Sequence, residues 1–218
     1  MKTAIFLHVF YVHLWDEIKY RLKKIPFQYN LYVNLVEGHS DHLDVLKDFP
    51  SAKINVSPNQ GMDIGGQLRT LNYWIKHGYD EEFLVFLHSK GKPLDLQDKS
   101  KVKETDELRD LLWSIVSPEK YPLVDEAFKD ATVGMVGVKE WHRYPSLAHG
   151  DPIPECKYYC DKLNLNNYKN NSFGFIGGTM FFVRSKIYRD IFSKINILDI
   201  VEELSEYSNG GNTQGLES

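Results

Sequence analysis

Three side chains that can bind phosphate or metal come directly after an apolar run at residues 83–87. His88, Ser89 and Lys90 follow this run, and Lys92 lies two residues further on. A neutral imidazole can ligate a metal ion, and an ammonium group can pair with phosphate oxygens. The pattern predicts either an anion or metal site at the end of a buried strand, or an ordinary solvated turn.

Polar residues also follow the three earlier apolar runs of the chain. His8 lies at the end of the first run, Glu37 follows the second, and Asn59 and Asp63 follow the third. The carboxyl ends of parallel strands meet at one edge of a sheet, where such folds bind their ligands. If the runs are neighbouring strands, these groups share one pocket. The alternative is ordinary loop polarity and helix capping.

Short apolar runs alternate with segments of helical periodicity. Strands are predicted at residues 3–10, 30–36, 52–56, 82–88, 132–138 and 173–184. Helices are predicted at residues 14–25, 42–49, 64–78, 105–117, 118–130, 155–163, 185–195 and 197–208. Ser40 or Asp41 should cap the second helix, and Gly78 should end the third. Thr105 should cap the fourth helix, and Pro122 should break the fifth.

This alternation is typical of an α/β fold with a mostly parallel sheet covered on both faces. We predict a single domain over residues 1–208, with a central sheet of about six strands flanked by helices. Residues 139–154 form a long loop, which is usually functional or disordered. Residues 209–218 are rich in Gly, Asn and Ser and are predicted to be a flexible tail or linker.

The composition argues against several kinds of protein. The 218 residues carry a formal net charge of −4, whereas domains that bind nucleic acid are usually basic. No run approaches the roughly 18 apolar residues of a membrane span, and no cleavable leader is recognisable, so we predict a cytoplasmic protein. Cys156 and Cys160 share a predicted helix, which suits reduced thiols better than a disulfide.

Three common motifs for nucleotides and nucleophiles are absent. No G-x-G-x-x-G follows the first predicted strand, and neither G-x-x-x-x-G-K-[ST] nor G-x-S-x-G occurs in the chain. A ligand at the sheet edge must therefore be held by the strand-end side chains themselves.

Five segments, taken in order, resemble those of a known family: "HVFYVHLWDEI", "NQGMDIGGQL", "FLHSKGKP", "VGMVGV" and "FIGGTMFFVRSKIYRDIF". They are similar to the rhamnan synthesis F family of rhamnosyltransferases and, more broadly, to glycosyltransferases of the GT-A type. The resemblance covers nearly the whole chain and implies a Rossmann-like GT-A domain. It extends to a viral domain that builds capsid glycans, which would act in the host-cell cytoplasm.

The same resemblance implies a reaction and its partners. Rhamnose or a related hexose would move from a nucleotide diphosphate donor to a glycan or glycoprotein acceptor. UDP and dTDP are both possible carriers, and a UDP-sugar is the expected donor. A divalent cation, Mn²⁺ or Mg²⁺, would assist the departure of the diphosphate. No nucleic acid or membrane span is expected to take part.

The resemblance also implies a role for each strand end. His8 and Phe10 would line the nucleoside pocket, and Glu37 would accept a hydrogen bond from the base. Asp63, with Asn59 beside it, would touch the ribose or the donor sugar. The ordinary alternative for each residue is a structural role in a loop or cap.

The donor sugar and the acceptor would lie near two further segments. Gly177 and Gly178, with Thr179, would let the backbone approach the donor sugar closely, unless they form a simple bulge in a strand. The acceptor side would contain Trp141, Arg143, Tyr144, His149 and Asp151. An inverting enzyme needs a general base there, and Asp151 is the first candidate, followed by His149.

Two departures from the family pattern bear on mechanism. Met62 stands where the family usually has Arg, and His88-Ser89-Lys90 stands where most GT-A enzymes have D-x-D. We predict that all three residues of this segment contact the donor and that His88 is also a metal ligand. Lys90 would offset the negative charge that grows on the leaving diphosphate.

The lost D-x-D leaves a second reading open. A non-catalytic module that binds a nucleotide sugar or a glycan needs no metal-binding carboxylates. A sugar-1-phosphate nucleotidyltransferase is a weaker alternative, because its glycine-rich first loop is missing from "LHVFYVHLW". The sequence does not give the donor base, the sugar, the acceptor or the stereochemical outcome.

Overall fold

The structure is a computed structural model and describes residues 1–38, 43–92, 99–143, 153–162 and 174–208. Its strands are β1 Thr3–Val9, β2 Tyr29–Val36, β3 Lys53–Ser57, β4 Phe83–His88, β5 Met135–Gly137, β6 His142–Arg143, β7 Phe175–Ile176 and β8 Phe181–Arg184. Six of them form one sheet in the order β3-β2-β1-β4-β8-β5, and β6 pairs with β7.

The helices cover both faces of this sheet. They are α1 Trp15–Lys23, α2 Val45–Asp48, α3 Met62–Lys76, α4 Lys99–Trp113, α5 Tyr121–Ala127, α6 Ile153–Lys162, α7 Ser185–Phe192 and α8 Ile197–Ser208. Within the described part of the chain, no helix is both long and apolar enough to cross a membrane.

Strand alternation divides the core into two layers. The layer on one face includes Ile5, Leu7, Val9, Ile18, Leu22 and Leu112, from β1, α1 and α4. The opposite layer includes Ala4, Phe6, Tyr32, Leu71, Trp74 and Phe86, from three strands and α3. His8 continues the alternation of Ala4 and Phe6, so it faces the α3 side at the carboxyl end of the sheet.

The predicted α/β fold with a mostly parallel six-stranded sheet is confirmed. β3, β2, β1 and β4 run parallel to one another, and β8 is antiparallel to both of its neighbours. This arrangement is consistent with a Rossmann-like GT-A fold. Gly78 follows the end of α3 with a left-handed φ of 67°, as predicted for its stop signal.

The sixth predicted strand, residues 173–184, is wrong as one continuous element. β7 and β8 are separated by the turn Gly177–Thr179, in which Gly178 has φ 75° and Thr179 has φ 51°. Left-handed residues cannot continue a strand, so the chain changes direction here. The turn brings this segment to the carboxyl end of β4.

Three helix boundaries also differ from the predictions. α4 begins at Lys99, so Thr105 lies inside the helix and is buried instead of capping it. Pro122 lies in the first turn of α5, where no backbone N–H is needed, and so it begins the helix. Asp44 caps α2 by accepting from the Lys47 amide.

Several other predictions fall outside the described residues. Ser40 and Asp41 are among them, as is the segment 209–218. The boundary of the domain at residue 208 therefore stays a prediction. The two cysteines lie on α6, as expected, and Cys160 is a free thiol.

Candidate functional site

A row of polar side chains crosses the carboxyl end of the sheet. His8 is in register with His88 on one side and with Asn34 on the other. Residues in register point to the same face, so all three side chains lie beneath α3. His8 is 4% exposed, His88 6% and Asn34 0%, so the row is buried at the carboxyl end of this core layer.

The start of the second turn of α3 rests directly on this row, at Gly66. A Cβ at Gly66 would overlap Nδ1 of His8 and lie 2.5 Å from Oδ1 of Asn34. Only glycine allows this approach. Nδ1 of His8 lies 2.7 Å from Oδ1 of Asn34, and the Asn34 amide donates to the Ser57 hydroxyl at 2.8 Å. His8 is thus fixed by a chain of hydrogen bonds across three strands.

Asp63, in the first turn of α3, meets His88 and the turn before β8. Oδ2 of Asp63 lies 3.6 Å from Nε2 of His88 and accepts from the Thr179 hydroxyl. Nε2 of His88 also lies 3.0 Å from the Gly178 carbonyl oxygen. A carbonyl oxygen only accepts, so Nε2 carries the hydrogen and Nδ1 of the neutral ring keeps its lone pair.

We call His8, Asn34, Asp63, His88 and Thr179 the carboxyl-end cluster. Burial lowers the pKa of His8 to about 4, although the hydrogen bond to Asn34 opposes this shift. Burial also lowers the pKa of His88, against the attraction of Asp63. Both rings are therefore neutral at pH 7.

The Asp63 carboxyl behaves differently from the two rings. Burial would raise its pKa, but the neighbouring His88 and the Thr179 hydroxyl hold the pKa below its usual range. Because His88 is neutral, its N–H group and the Thr179 hydroxyl, not a full ion pair, stabilise the carboxylate. The cluster carries a single negative charge at neutral pH, and the Asp63 side chain keeps 26% of its surface exposed.

The strained turn Gly177–Thr179 is held from three sides. Gly178 accepts from His88, and Thr179 donates to Asp63 through its hydroxyl. The Gln67 amide donates to the Thr179 carbonyl at 3.2 Å. Left-handed backbone at a non-glycine residue costs about 1–3 kcal/mol and persists only where its surroundings hold it. These contacts supply that hold.

Hydrogen bonds between side chains and backbone atoms hold the two residues that follow His88. The Ser89 hydroxyl accepts from the amides of Phe10 and Tyr11 at 2.8 and 2.9 Å. Ser89 therefore joins the exits of β1 and β4. Lys90 is partly buried, and its carbonyl accepts from Arg109 at 2.9 Å.

Glu37 and Asn59 lie at the same edge of the sheet but outside the cluster. Both are exposed, Glu37 directly after β2 and Asn59 in the connection between β3 and α3. The Glu37 amide donates to the Ser57 carbonyl at 3.0 Å, which fixes its backbone and leaves its carboxylate facing solvent. Their predicted contacts with the base and the sugar stay predictions.

The predicted acceptor side is described only in part. Tyr144, His149 and Asp151 lie outside the described residues, as does the side chain of Arg143. Trp141 lies close to the turn before β8, because a Cβ at Gly177 would come within 2.7 Å of its Cδ1. The two predicted general bases therefore remain untested.

Sequence reasoning missed Asn34, Ser57, Gly66 and Gln67 as members of this neighbourhood. Asn34 carried a usable signal, since an amide inside an apolar strand must find buried partners. Gly66 and Gln67 lie within a helical pattern and could have been identified only from the packing of α3 on the sheet.

Within the described residues, neither a group of metal-binding side chains nor the open cavity beside Met1 and Tyr29 coincides with the cluster. Among the described residues, no group of three or more His, Cys, Asp and Glu side chains is arranged to hold a metal ion. An open cavity of about 700 Å³ lies at the opposite edge of the sheet, lined by Met1, Lys2, Thr3, Phe27, Gln28, Tyr29 and Asn30. Its lining contains no carboxylate and no histidine, whereas the carboxyl-end cluster contains Asp63, His8 and His88.

Comparison with known proteins gives one match. The family model described as rhamnan synthesis protein F matches residues 1–208. No curated protein and no solved structure matches the chain. The matched region includes every member of the carboxyl-end cluster and nearly the whole length of the sequence. The chain therefore belongs to the rhamnan synthesis protein F family.

Proposed function

We propose that the chain is a glycosyltransferase that moves rhamnose or a related hexose from a nucleotide diphosphate donor, a UDP-sugar, to a glycan acceptor. Membership of the family implies involvement in rhamnan synthesis. One observation supports the proposal at the level of individual residues. Four separate segments bring His8, Asp63, His88 and the turn at Thr179 together at the carboxyl end of the parallel strands. Ligands of open α/β folds bind at that end.

The donor diphosphate would lie against the exit of β4. His88 and Lys90 both lie there, on either side of Ser89, and the Lys90 ammonium would pair with phosphate oxygens. Negative charge grows on the diphosphate as the glycosidic bond breaks, so this contact strengthens in the transition state. Asp63 would face the ribose or the sugar, whose hydroxyl groups can donate to its ionised carboxylate.

A divalent cation fits this site only as a partner of the diphosphate. The cluster offers the Asp63 carboxylate and His88, and Nε2 of His88 already donates to Gly178. While that bond lasts, His88 can ligate a metal only through Nδ1. One or two protein ligands are too few for tight binding of Mn²⁺ or Mg²⁺ alone. We expect the cation to arrive with the donor and to offset charge on the leaving group.

Purified protein tests the proposal directly. UDP-, dTDP- and GDP-sugars are offered with and without Mn²⁺, and both donor hydrolysis and transfer to a glycan are measured. Turnover of at least one donor, stimulated by Mn²⁺, is the expected result. Binding of the donor without turnover supports the non-catalytic module instead, and absence of donor binding rejects both functions.

A further inference from the structure

Arg109 of α4 is a buried arginine with no role in the reaction proposed above. Its side chain is 6% exposed, and its Nε and Nη2 each donate to the Glu17 carboxylate at 2.9 Å. Its Nη1 donates to the Lys90 carbonyl at 2.9 Å and lies 2.8 Å from Asp106. One planar guanidinium thus joins α1, α4 and the exit of β4.

The pair of Arg109 and Glu17 is ionised. Burial opposes the charge on Glu17, but Arg109 and Arg21 hold the pKa of its carboxyl below the usual range. Burial likewise opposes the charge on Arg109, but Glu17 and Asp106 together raise the pKa of its guanidinium above the usual value. A forked pair of this kind fixes the guanidinium plane as well as its position. Because Glu17 holds the Nε and Nη2 side of the guanidinium, it also orients Nη1 toward the Lys90 carbonyl.

The Lys90 amide donates to the His88 carbonyl at 2.9 Å, and other contacts fix the residues on either side of Lys90. The Trp113 indole donates to the His88 carbonyl at 3.2 Å, and Ser89 is tied to the exit of β1. Gly91 packs so closely that a Cβ there would come within 2.8 Å of Leu14. Arg109 is thus the described side chain that holds the Lys90 carbonyl.

We propose that Arg109, oriented by Glu17, is a positioning residue that aims the Lys90 ammonium at the donor diphosphate. This inference rests on the proposed function, because only a donor diphosphate at this site gives the Lys90 ammonium a binding partner. A lysine at position 109 keeps the charge but cannot grip Glu17 with two parallel bonds and reach the Lys90 carbonyl as well.

The test is a double-mutant cycle. In the otherwise wild-type chain, Arg109→Lys should lower kcat/KM for the donor about tenfold, the cost of roughly one charge-assisted hydrogen bond. In a Lys90→Ala background, the same change should lower kcat/KM less than about twofold, because no ammonium remains to be aimed. The backbone carbonyl of residue 90 is present in both backgrounds, so Arg109→Lys should lower the free energy of unfolding equally in both. Equal activity losses in the two backgrounds overturn the proposal.

Arg184 provides a matched control. It also donates to backbone carbonyls, at 2.7 Å to Phe128 and 2.8 Å to Val133, but at the far edge of the sheet. Arg184→Lys should lower stability and leave donor kinetics unchanged.

Hydrogen exchange gives a readout that needs no activity. Arg109→Lys should speed exchange of the backbone amides at residues 88–92 by about tenfold, and Arg184→Lys should not. Unchanged exchange in the Arg109 variant overturns the positioning role. Failure of the wild-type chain to turn over any donor overturns the proposed function instead, whatever the exchange shows.

Discussion

Two polar clusters lie at opposite ends of α3, and they differ in the burial and the hydrogen bonds of their carboxylates. At the amino end of the sheet, Glu81 is 2% exposed and accepts from Trp74 at 2.6 Å, Asn30 at 2.6 Å and Tyr32 at 2.9 Å. We call these four residues the amino-end cluster. All three donors are neutral, and they come from regular strand and helix, so the carboxylate is fully hydrogen-bonded.

The carboxyl-end cluster lacks this regularity. Oδ2 of Asp63 accepts from Thr179 and lies 3.6 Å from Nε2 of His88, which donates to Gly178 instead, and Thr179 is held in left-handed backbone. Two buried imidazoles beside a carboxylate add little to stability, because both are kept neutral by burial. The Glu81 carboxylate is buried and joins strands to α3, whereas the Asp63 carboxylate keeps 26% of its side-chain surface exposed beside a strained turn.

The largest expected effect is on stability at the amino end. Glu81→Leu leaves the buried donors of Trp74 and Tyr32 without an acceptor, which should lower the free energy of unfolding by about 3–5 kcal/mol. Urea denaturation measures it, and the exposed neighbour provides the control Glu82→Gln. A loss below about 1 kcal/mol would mean that the amino-end cluster is not structural.

The pH dependence of stability should come from the carboxyl end. The pKa of His8 falls from 6.5 to about 4 on folding. The unfolded chain therefore binds the proton first, and stability is lost as the pH falls from 6.5 toward 4. The loss should reach roughly 3 kcal/mol, and His88 adds to it in the same direction.

Two variants isolate this contribution. His8→Gln should flatten the stability profile between pH 6.5 and 4, because its side chain does not titrate. His77→Gln, at an exposed position, should leave the profile unchanged. Urea denaturation as a function of pH gives the profiles, and equal slopes for wild type and His8→Gln would contradict the assignment.

Activity should respond at the carboxyl end alone. Asp63→Asn removes the negative charge and should lower turnover about 100-fold, or about 2.7 kcal/mol in the barrier. The free energy of unfolding should change by only about 1 kcal/mol, since the amide still pairs with Thr179. Steady-state kinetics at saturating donor measures the effect, with Asp190→Asn on the surface of α7 as control. An unchanged turnover would remove Asp63 from the site.

The smallest expected effects, on stability and on donor binding, come from replacing two glycines of the α3 region. Gly66→Ala would push the helix away from His8 and should cost about 1–3 kcal/mol and weaken donor binding. Gly78→Ala meets no atom within 4 Å, but its φ is 67°, so it should cost about 1 kcal/mol by strain alone. Denaturation and calorimetric titration with UDP measure both. Equal UDP affinities in the two variants would separate the turn of α3 around Gly66 from the site.

Much of this architecture could be predicted from the sequence. The strands β1 and β4 are uninterrupted apolar runs, and His8 and His88 stand at their ends in any plausible register. The parallel arrangement then requires both rings to share one edge. The prediction of Asp63 at that edge followed from the same reasoning, because it lies at the start of the helix after β3.

The partners of these residues could not be predicted in the same way. Thr179 meets Asp63 across 116 positions of sequence, through a turn that the apolar pattern around it conceals. In the sequence, Asn34 only interrupts an apolar strand, and its role becomes clear from its hydrogen bond to the Ser57 hydroxyl on the neighbouring strand. The hydrogen bond from Arg109 to the Lys90 carbonyl depends on how α4 packs against the sheet, and local periodicity does not predict that packing.

A crystal structure of the chain with UDP and Mn²⁺ tests the central claim most directly. The claim predicts that the diphosphate lies within hydrogen-bonding distance of Lys90 or His88, with the ribose beside Asp63. The amino-end cavity lined by Met1, Phe27 and Tyr29 should stay free of nucleotide. Nucleotide bound in that cavity, or anywhere away from the carboxyl end of β4, would contradict the account.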